Sequence, residues 1–218
     1  MINKEFQKRI FSSLILIPVS LFFIIKGNFL FNFFITICFL ITSYEWHKMS
    51  FKKPYYLIGF IFLIISFYSA YRIRTTISGD YIYFIIILLI CISTDIGGYI
   101  FGKFLKGPKL TKISPKKTYS GVIGGYLFSI IILNLCFSTG LLTKPQELNF
   151  DTFIGILIIS TISQIGDIII SFFKRLSKIK DTGKIIPGHG GLLDRIDGMI
   201  FAFPSAYIIF KMGIFQYF

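Results

Sequence analysis

The apolar residues of this chain come in long unbroken blocks rather than in the spacing of a soluble amphipathic fold. The blocks cover roughly 10–25, 29–43, 55–71, 81–101, 121–142, 152–172 and 196–214, with short stretches rich in lysine, arginine, glycine and proline between them. At 1.5 Å per helical residue each is about long enough to cross ~30 Å of hydrocarbon, the first two only just. Lipid offers no partner to backbone amides, so the blocks are predicted to be helices. The pattern predicts an all-α polytopic integral membrane protein of about seven transmembrane helices, six to nine being compatible with the block boundaries.

Composition agrees with that class. Of 218 residues, 54% are hydrophobic and only 15% charged, against about 25% charged in soluble domains. Mean hydropathy is +0.75. The net charge of +13 would point to nucleic acid in a soluble protein. Here loop bias and anionic lipid heads account for it, and no soluble surface is left to hold a duplex. Segments 1–9, 44–54, 102–120 and 173–195 hold 3, 3, 6 and 6 of the 23 basic residues. That asymmetry predicts a cytoplasmic N-terminus, with all four segments on the cytoplasmic face. Cys38, Cys91 and Cys136 fall inside apolar blocks and read as packing residues. The basic start followed by Ile10–Ile25 has no small-residue cleavage site after it, so an uncleaved first helix is expected.

Against this background the acids stand out. Asp95 sits late in the fourth block and Asp167 late in the sixth. A carboxylate in hydrocarbon costs about 2.5–3.5 kcal/mol even on lenient scales, which favours a wet, functional cavity over a bare helix end. Ser160, Ser163, Gln164, Asp167, Ser171 and Lys174 recur at three- and four-residue spacing, so a helix gathers them into one polar stripe. Asp194 and Asp197 are three apart at the start of the last block and share a helical face. Two acids there and a third from another helix suit a divalent cation, and oxygen-only ligands favour Mg²⁺ over zinc.

Between the acids lie Lys174, Arg175 and the turn PGHGG. Basic groups neutralise phosphate oxygens, and Gly188, Gly190 and Gly191 let backbone approach an anion closely. His189, flanked by glycines and bracketed by acids, is a candidate phosphate contact or proton donor. The other basic loop, GKFLKGPKLTKISPKKTYSGVIGGY, offers Lys116 and Lys117 but lacks P-loop order. On that stretch alone, a plain cytoplasmic loop and a phosphate contact are equally supported.

The stretch SFFKRLSKIKDTGKIIPGHGGLLDRID, residues 171–197, resembles the signature of the bacterial phosphatidate cytidylyltransferases, or CDP-diacylglycerol synthases. That signature runs S-x-x-K-R, K-D-x-G, P-x-H-G-G-x-x-D-R-x-D, and every spacing is matched. DIGGYIFGK (95–103) and ISPKKTYSGVIGGY (113–126) extend the likeness, except that Ser120 stands where the family usually has Glu or Gln. The resemblance implies scaffold helices over 1–80 and a catalytic region over 81–218 within one membrane domain. It implies transfer of the cytidylyl group of CTP to phosphatidate in phospholipid biosynthesis, releasing pyrophosphate, with Mg²⁺ and a second cation as candidate cofactors. It further implies an inner-membrane enzyme, in contact with membrane lipids, with a cytoplasm-facing site and a homodimeric state.

Carried over by position, Asp167 and Asp194 look like metal-binding and catalytic acids, supported by Asp197 and Asp95. Lys174 and His189 look catalytic, and both, with Arg175 and Arg195, look like phosphate binders. Lys116, Lys117, Gly190 and Gly191 join them as candidate substrate contacts. Two other readings compete. A transporter of phosphorylated anions would spread polar residues through the bilayer depth, whereas here they collect toward one side. A CDP-alcohol phosphotransferase would carry a fuller aspartate array than DRIDG.

Overall fold

The structure is a computed structural model that describes residues 4–77, 80–111, 113–114, 116–142 and 147–213. Every element longer than a bridge is helical among the described residues: α1 (Lys4–Lys26), α2 (Asn28–Ser50), α3 (Tyr56–Arg72), α4 (Ile82–Phe104), α5 (Tyr119–Ser138), α6 (Phe150–Leu176), α7 (Leu193–Ile196) and α8 (Met199–Lys211). A π-helical turn, Ile73–Ile77, prolongs α3. Five helices, α2 to α6, are long and apolar enough to cross a membrane. The apolar part of α1 and the whole of α8 are shorter. The helices outrun the apolar blocks at their polar ends: α2 continues to Ser50 rather than 43, and α6 to Leu176 rather than 172.

Local chemistry sets several ends. Thr118 Oγ1 accepts from the Gly121 amide at 3.1 Å and caps α5; Asn149 Oδ1 accepts from Thr152 at 2.7 Å and caps α6. Between α1 and α2 the chain turns at Gly27, φ 67°. The buried Arg74 guanidinium closes this turn, its Nε donating to Ile24 O at 2.8 Å. That bond satisfies a carbonyl which the end of α1 leaves unpaired.

The packing is built around the antiparallel pair α4–α5, against which α6 lies; α8 fits between α3, α4 and α6. Helix α2 packs on α3, and α1 on α2. The α4–α5 seam is made of glycine. A Cβ placed on Gly121 would stand 2.8 Å from Gly98 O, and one on Gly97 would collide with Gly124 O. Gly98 and Gly102, like Gly121 and Gly125, are four apart, the small-residue spacing that lets membrane helices touch backbone to backbone. The glycines beside the SPKKT loop thus pack helices together.

One apolar core, with Ile86, Ile87, Ile90, Leu133, Phe137, Ile156 and Ala202, fills the middle of the bundle. A second, with Trp46, Met49, Leu63, Ile170, Leu193 and Ile200, lies beneath the loop that precedes α7. Exposed Phe, Leu and Ile side chains cover the outer faces of α1, α2 and α3, as expected of surfaces that meet lipid rather than water. We predict that Gly121→Val destabilises the protein by about 1–3 kcal/mol or more through overpacking of the seam. A thermal scan in detergent tests this, and an unchanged midpoint would mean that α4 and α5 have slack there.

Candidate active site

The polar stripe of α6 faces inward: Ser160, Ser163, Ser171 and Lys174 are all buried. Thr94 on α4 donates to Ser160 at 2.8 Å, and Ser171 donates to Asp167 Oδ1 at 3.2 Å. The stripe therefore leads through the protein to Asp167 rather than toward lipid. Asp95, on the facing helix α4, is exposed on its own surface yet within electrostatic reach of Asp167 and Lys117.

Lys117 enters from the α4–α5 loop. Its Nζ lies 2.6 Å from Asp167 Oδ2 and donates to Gln164 O at 3.2 Å. The loop is folded back to deliver it: Leu110 N donates to Lys117 O at 2.8 Å, and Tyr119 N to Pro108 O at 3.2 Å. Ser120 binds the Lys106 carbonyl at the base of the loop, so position 120 here ties the loop together. Lys116 is exposed.

On the other side, buried Lys174 stands 2.9 Å from Asp194 Oδ1 and 3.9 Å from Asp197 Oδ2. Asp197 also lies within electrostatic reach of Asp167 and Asp95. An ionic network results, with Lys117, Asp167, Asp197, Lys174 and Asp194, that joins the loop before α5 to α6 and α7. Asp194 ends the network. Its Oδ2 accepts from Thr182 N at 2.8 Å and Gly191 N at 3.0 Å, which fastens the PGHGG loop. Burial alone would raise the Asp194 carboxyl, but the Lys174 bond and charge and the two amides outweigh it and hold it below the usual range.

The loop itself is a tight turn. Gly188 and Gly190 have φ of 77° and 91°, a region that side chains disfavour. The Gly190 and Gly191 amides are used inside the loop, donating to Ile186 O and Asp194. His189 reaches α1, its Nδ1 2.8 Å from Ser12 Oγ and its Nε2 3.3 Å from Ser13 Oγ. Arg195 turns back to clamp the His189 carbonyl through Nε at 3.0 Å and Nη2 at 2.6 Å. Arg175 is exposed, and its Nη1 donates to Ile179 O at the end of α6.

Sequence reasoning missed the helices before residue 81 as contributors. Glu45 of α2 is 1% exposed and accepts hydrogen bonds from Thr182, Leu192 and Leu193. The available signal was a carboxylate in YEWHK, at the polar end of an apolar block. Ser12 and Ser13 carried none.

Residues 52–213 match the cytidylyltransferase family. Proteins named phosphatidate cytidylyltransferase from Rickettsia felis and Rickettsia typhi are 35% and 36% identical to this chain. The alignments cover 92% and 95% of this chain and 90% and 91% of those proteins. A protein of the same name from Brucella suis is 38% identical over 53% of this chain and 42% of its own length. The chain belongs to the cytidylyltransferase family. The family match begins at residue 52, so Ser12, Ser13 and Glu45 lie outside it although their side chains reach the signature loop.

Among the described residues, no three His, Cys, Asp or Glu side chains lie close enough to enclose a metal ion by themselves. The donor chemistry nevertheless suits a hard cation. Asp95, Asp167, Asp194 and Asp197 bring carboxylate oxygens toward one region, with Lys117, Lys174 and Arg195 as basic neighbours, and an oxygen-only donor set suits such an ion. Asp167 and Asp197, which lie within electrostatic reach of each other, could hold it.

Since the folded Asp194 carboxyl is held low, its stabilisation is fully present above the unfolded value, about pH 4, and is lost as pH falls through the folded one. We predict that Asp194→Asn lowers the thermal midpoint near neutral pH and that the gap to wild type closes below about pH 4. A gap that does not vary with pH would mean that Asp194 stabilises the loop by shape alone.

Proposed function

We propose that this chain transfers the cytidylyl group of CTP to phosphatidate, giving CDP-diacylglycerol and pyrophosphate. The observation that carries the reading is the Lys117–Asp167–Asp197–Lys174–Asp194 network, set at the helix ends of a member of the cytidylyltransferase family. The names of the relatives support phosphatidate as the acceptor. In the reaction an oxygen of the lipid phosphate forms a bond to the α-phosphorus of CTP, and the bond from that phosphorus to the β-phosphate oxygen breaks. The acceptor needs no strong base, because a phosphate monoester with a second pKa of about 6 is already largely ionised. Catalysis is then alignment and charge neutralisation.

Asp167 and Asp197 would hold Mg²⁺ together with substrate phosphate oxygens. A bound Mg²⁺ supplies Lewis-acid stabilisation of the phosphoryl oxygens and of the leaving pyrophosphate. Lys117 holds Asp167 in place and can pass its ammonium to a phosphate oxygen once substrate arrives, keeping the local charge balanced. Lys174 orients Asp194 and Asp197 at once. His189 and Arg195, in the glycine turn and next to it, stand at the rim where a triphosphate would enter. The cytoplasmic bias of basic residues supports a site opening to the cytoplasm, where CTP is found, with the N-terminus on that side and short α1 and α8 completing about seven spans. The lipid tails would remain in the bilayer beside the exposed apolar faces.

Protein in detergent, given radiolabelled CTP, phosphatidate and Mg²⁺, should form CDP-diacylglycerol, and product should disappear on chelation. Asp167→Asn and Asp197→Asn should lower turnover at least about 100-fold, a common cost of losing a group that stabilises transition-state charge. No product from folded wild type across lipids and metal concentrations would sink this reading, and wild-type rates in either variant would remove that acid from the metal site.

A further inference from the structure

Glu45 is a buried carboxylate to which neither the proposed reaction nor the signature gives a role. It sits near the C-terminal end of α2, 1% exposed. Its Oε1 accepts from Leu192 N at 2.9 Å; its Oε2 accepts from Leu193 N at 2.8 Å and from Thr182 Oγ1 at 3.1 Å. A carboxylate this deep is costly unless its oxygens are satisfied. The three donors satisfy it only when the segment 182–193 closes over it.

The fit is close on the other side as well. A Cβ at Gly191 would stand 2.6 Å from both Glu45 oxygens, and one at Gly183 2.6 Å from Oε1. Helix α7 has no side-chain cap of its own at Leu192, and Glu45 takes the Leu192 and Leu193 amides, which the start of the helix leaves without an intrahelical partner. Thr182 joins the two carboxylates: its hydroxyl donates to Glu45 while its amide donates to Asp194. Asp194 in turn fixes Lys174, which faces Asp197.

We propose that Glu45 is a positioning residue that shapes the 182–193 loop and, through Thr182 and Asp194, sets the place of Lys174 and Asp197. The inference rests on the proposed reading of that loop as part of the CTP and phosphatidate site. It assigns a catalytic consequence to α2, a helix outside the family match.

The substitution Glu45→Gln tests it, because glutamine keeps the shape but offers one oxygen where the loop uses two. Thr182→Val removes one donor and leaves both amides bonded. Thr36→Ala, on the exposed face of the same helix and bonded only within it to Asn32 O, is the control and should keep full activity. For folded Glu45→Gln we expect kcat/KM for CTP to fall about 10–100-fold, the usual cost of losing an outer orienting group, with Thr182→Val falling less. The double variant should fall by less than the product of the two single effects. Amide hydrogen exchange should speed up at Gly191, Leu192 and Leu193 and stay unchanged in the α4–α5 pair.

Wild-type kcat/KM in folded Glu45→Gln overturns the proposal, as does full independence of the two substitutions. If Glu45→Gln does not fold, Thr182→Val decides: reduced kcat/KM with faster loop exchange supports positioning, and wild-type behaviour overturns it. If the wild-type protein makes no CDP-diacylglycerol, the substrate reading fails, while loop exchange in the Glu45 variant still decides whether that residue holds the loop.

Discussion

A buried carboxylate is tolerated only when its oxygens are fully used, and that constraint organises the functional end of this protein. Buried Glu45 meets it with two amides and a hydroxyl; half-buried Asp194 is held by one ammonium and two amides, and part-exposed Asp167 by Lys117 and Ser171. Each acid therefore pins at least one segment distant in sequence. Because breaking one side of such a pair strands a charge at a cost of about 3–5 kcal/mol, these bonds fix geometry more firmly than their net contribution to stability would imply. Helix ends that would otherwise be loose at an aqueous boundary are tied to one another.

The bilayer class, the helical blocks and the inward polar stripe of α6 were legible in the sequence because each rests on local periodicity or on solvent preference. Ser160, Ser163, Gln164, Asp167 and Ser171 needed only the helical repeat to be placed on one face. The signature over 171–197 likewise pointed to the family to which the chain belongs. What escaped was pairing across the fold. Asp194 and Asp197 are neighbours by spacing, yet α7 is a single turn, and only Asp194 fastens the loop while Asp197 lies toward Asp167. The contact of Glu45 with residues more than 130 positions away has no local correlate. Lys117 and exposed Lys116 are adjacent in the chain, and only the folded loop separates a lysine in the site from one outside it.

The N-terminal helices also take on a different character in three dimensions. Read as sequence they are apolar scaffold; folded, α1 meets His189 with two serines and α2 meets the loop with Glu45. Trp46, next to Glu45, belongs to the apolar core under that loop and donates its indole N–H to Tyr56 O at 3.0 Å. Polar contact and apolar support thus come from successive residues of one helix. The loop that carries the signature is held from below as well as from its own ends.

The glycine seam between α4 and α5 gives the site unequal sides. With backbone lying against backbone, little side-chain freedom separates the two helices, so Asp95 and the root of the Lys117 loop ride on one stiff body. The opposite side, from the end of α6 to α7, is joined through charged side chains and a glycine turn. The two sides therefore answer to different forces, contact between backbones on one and charge pairing on the other.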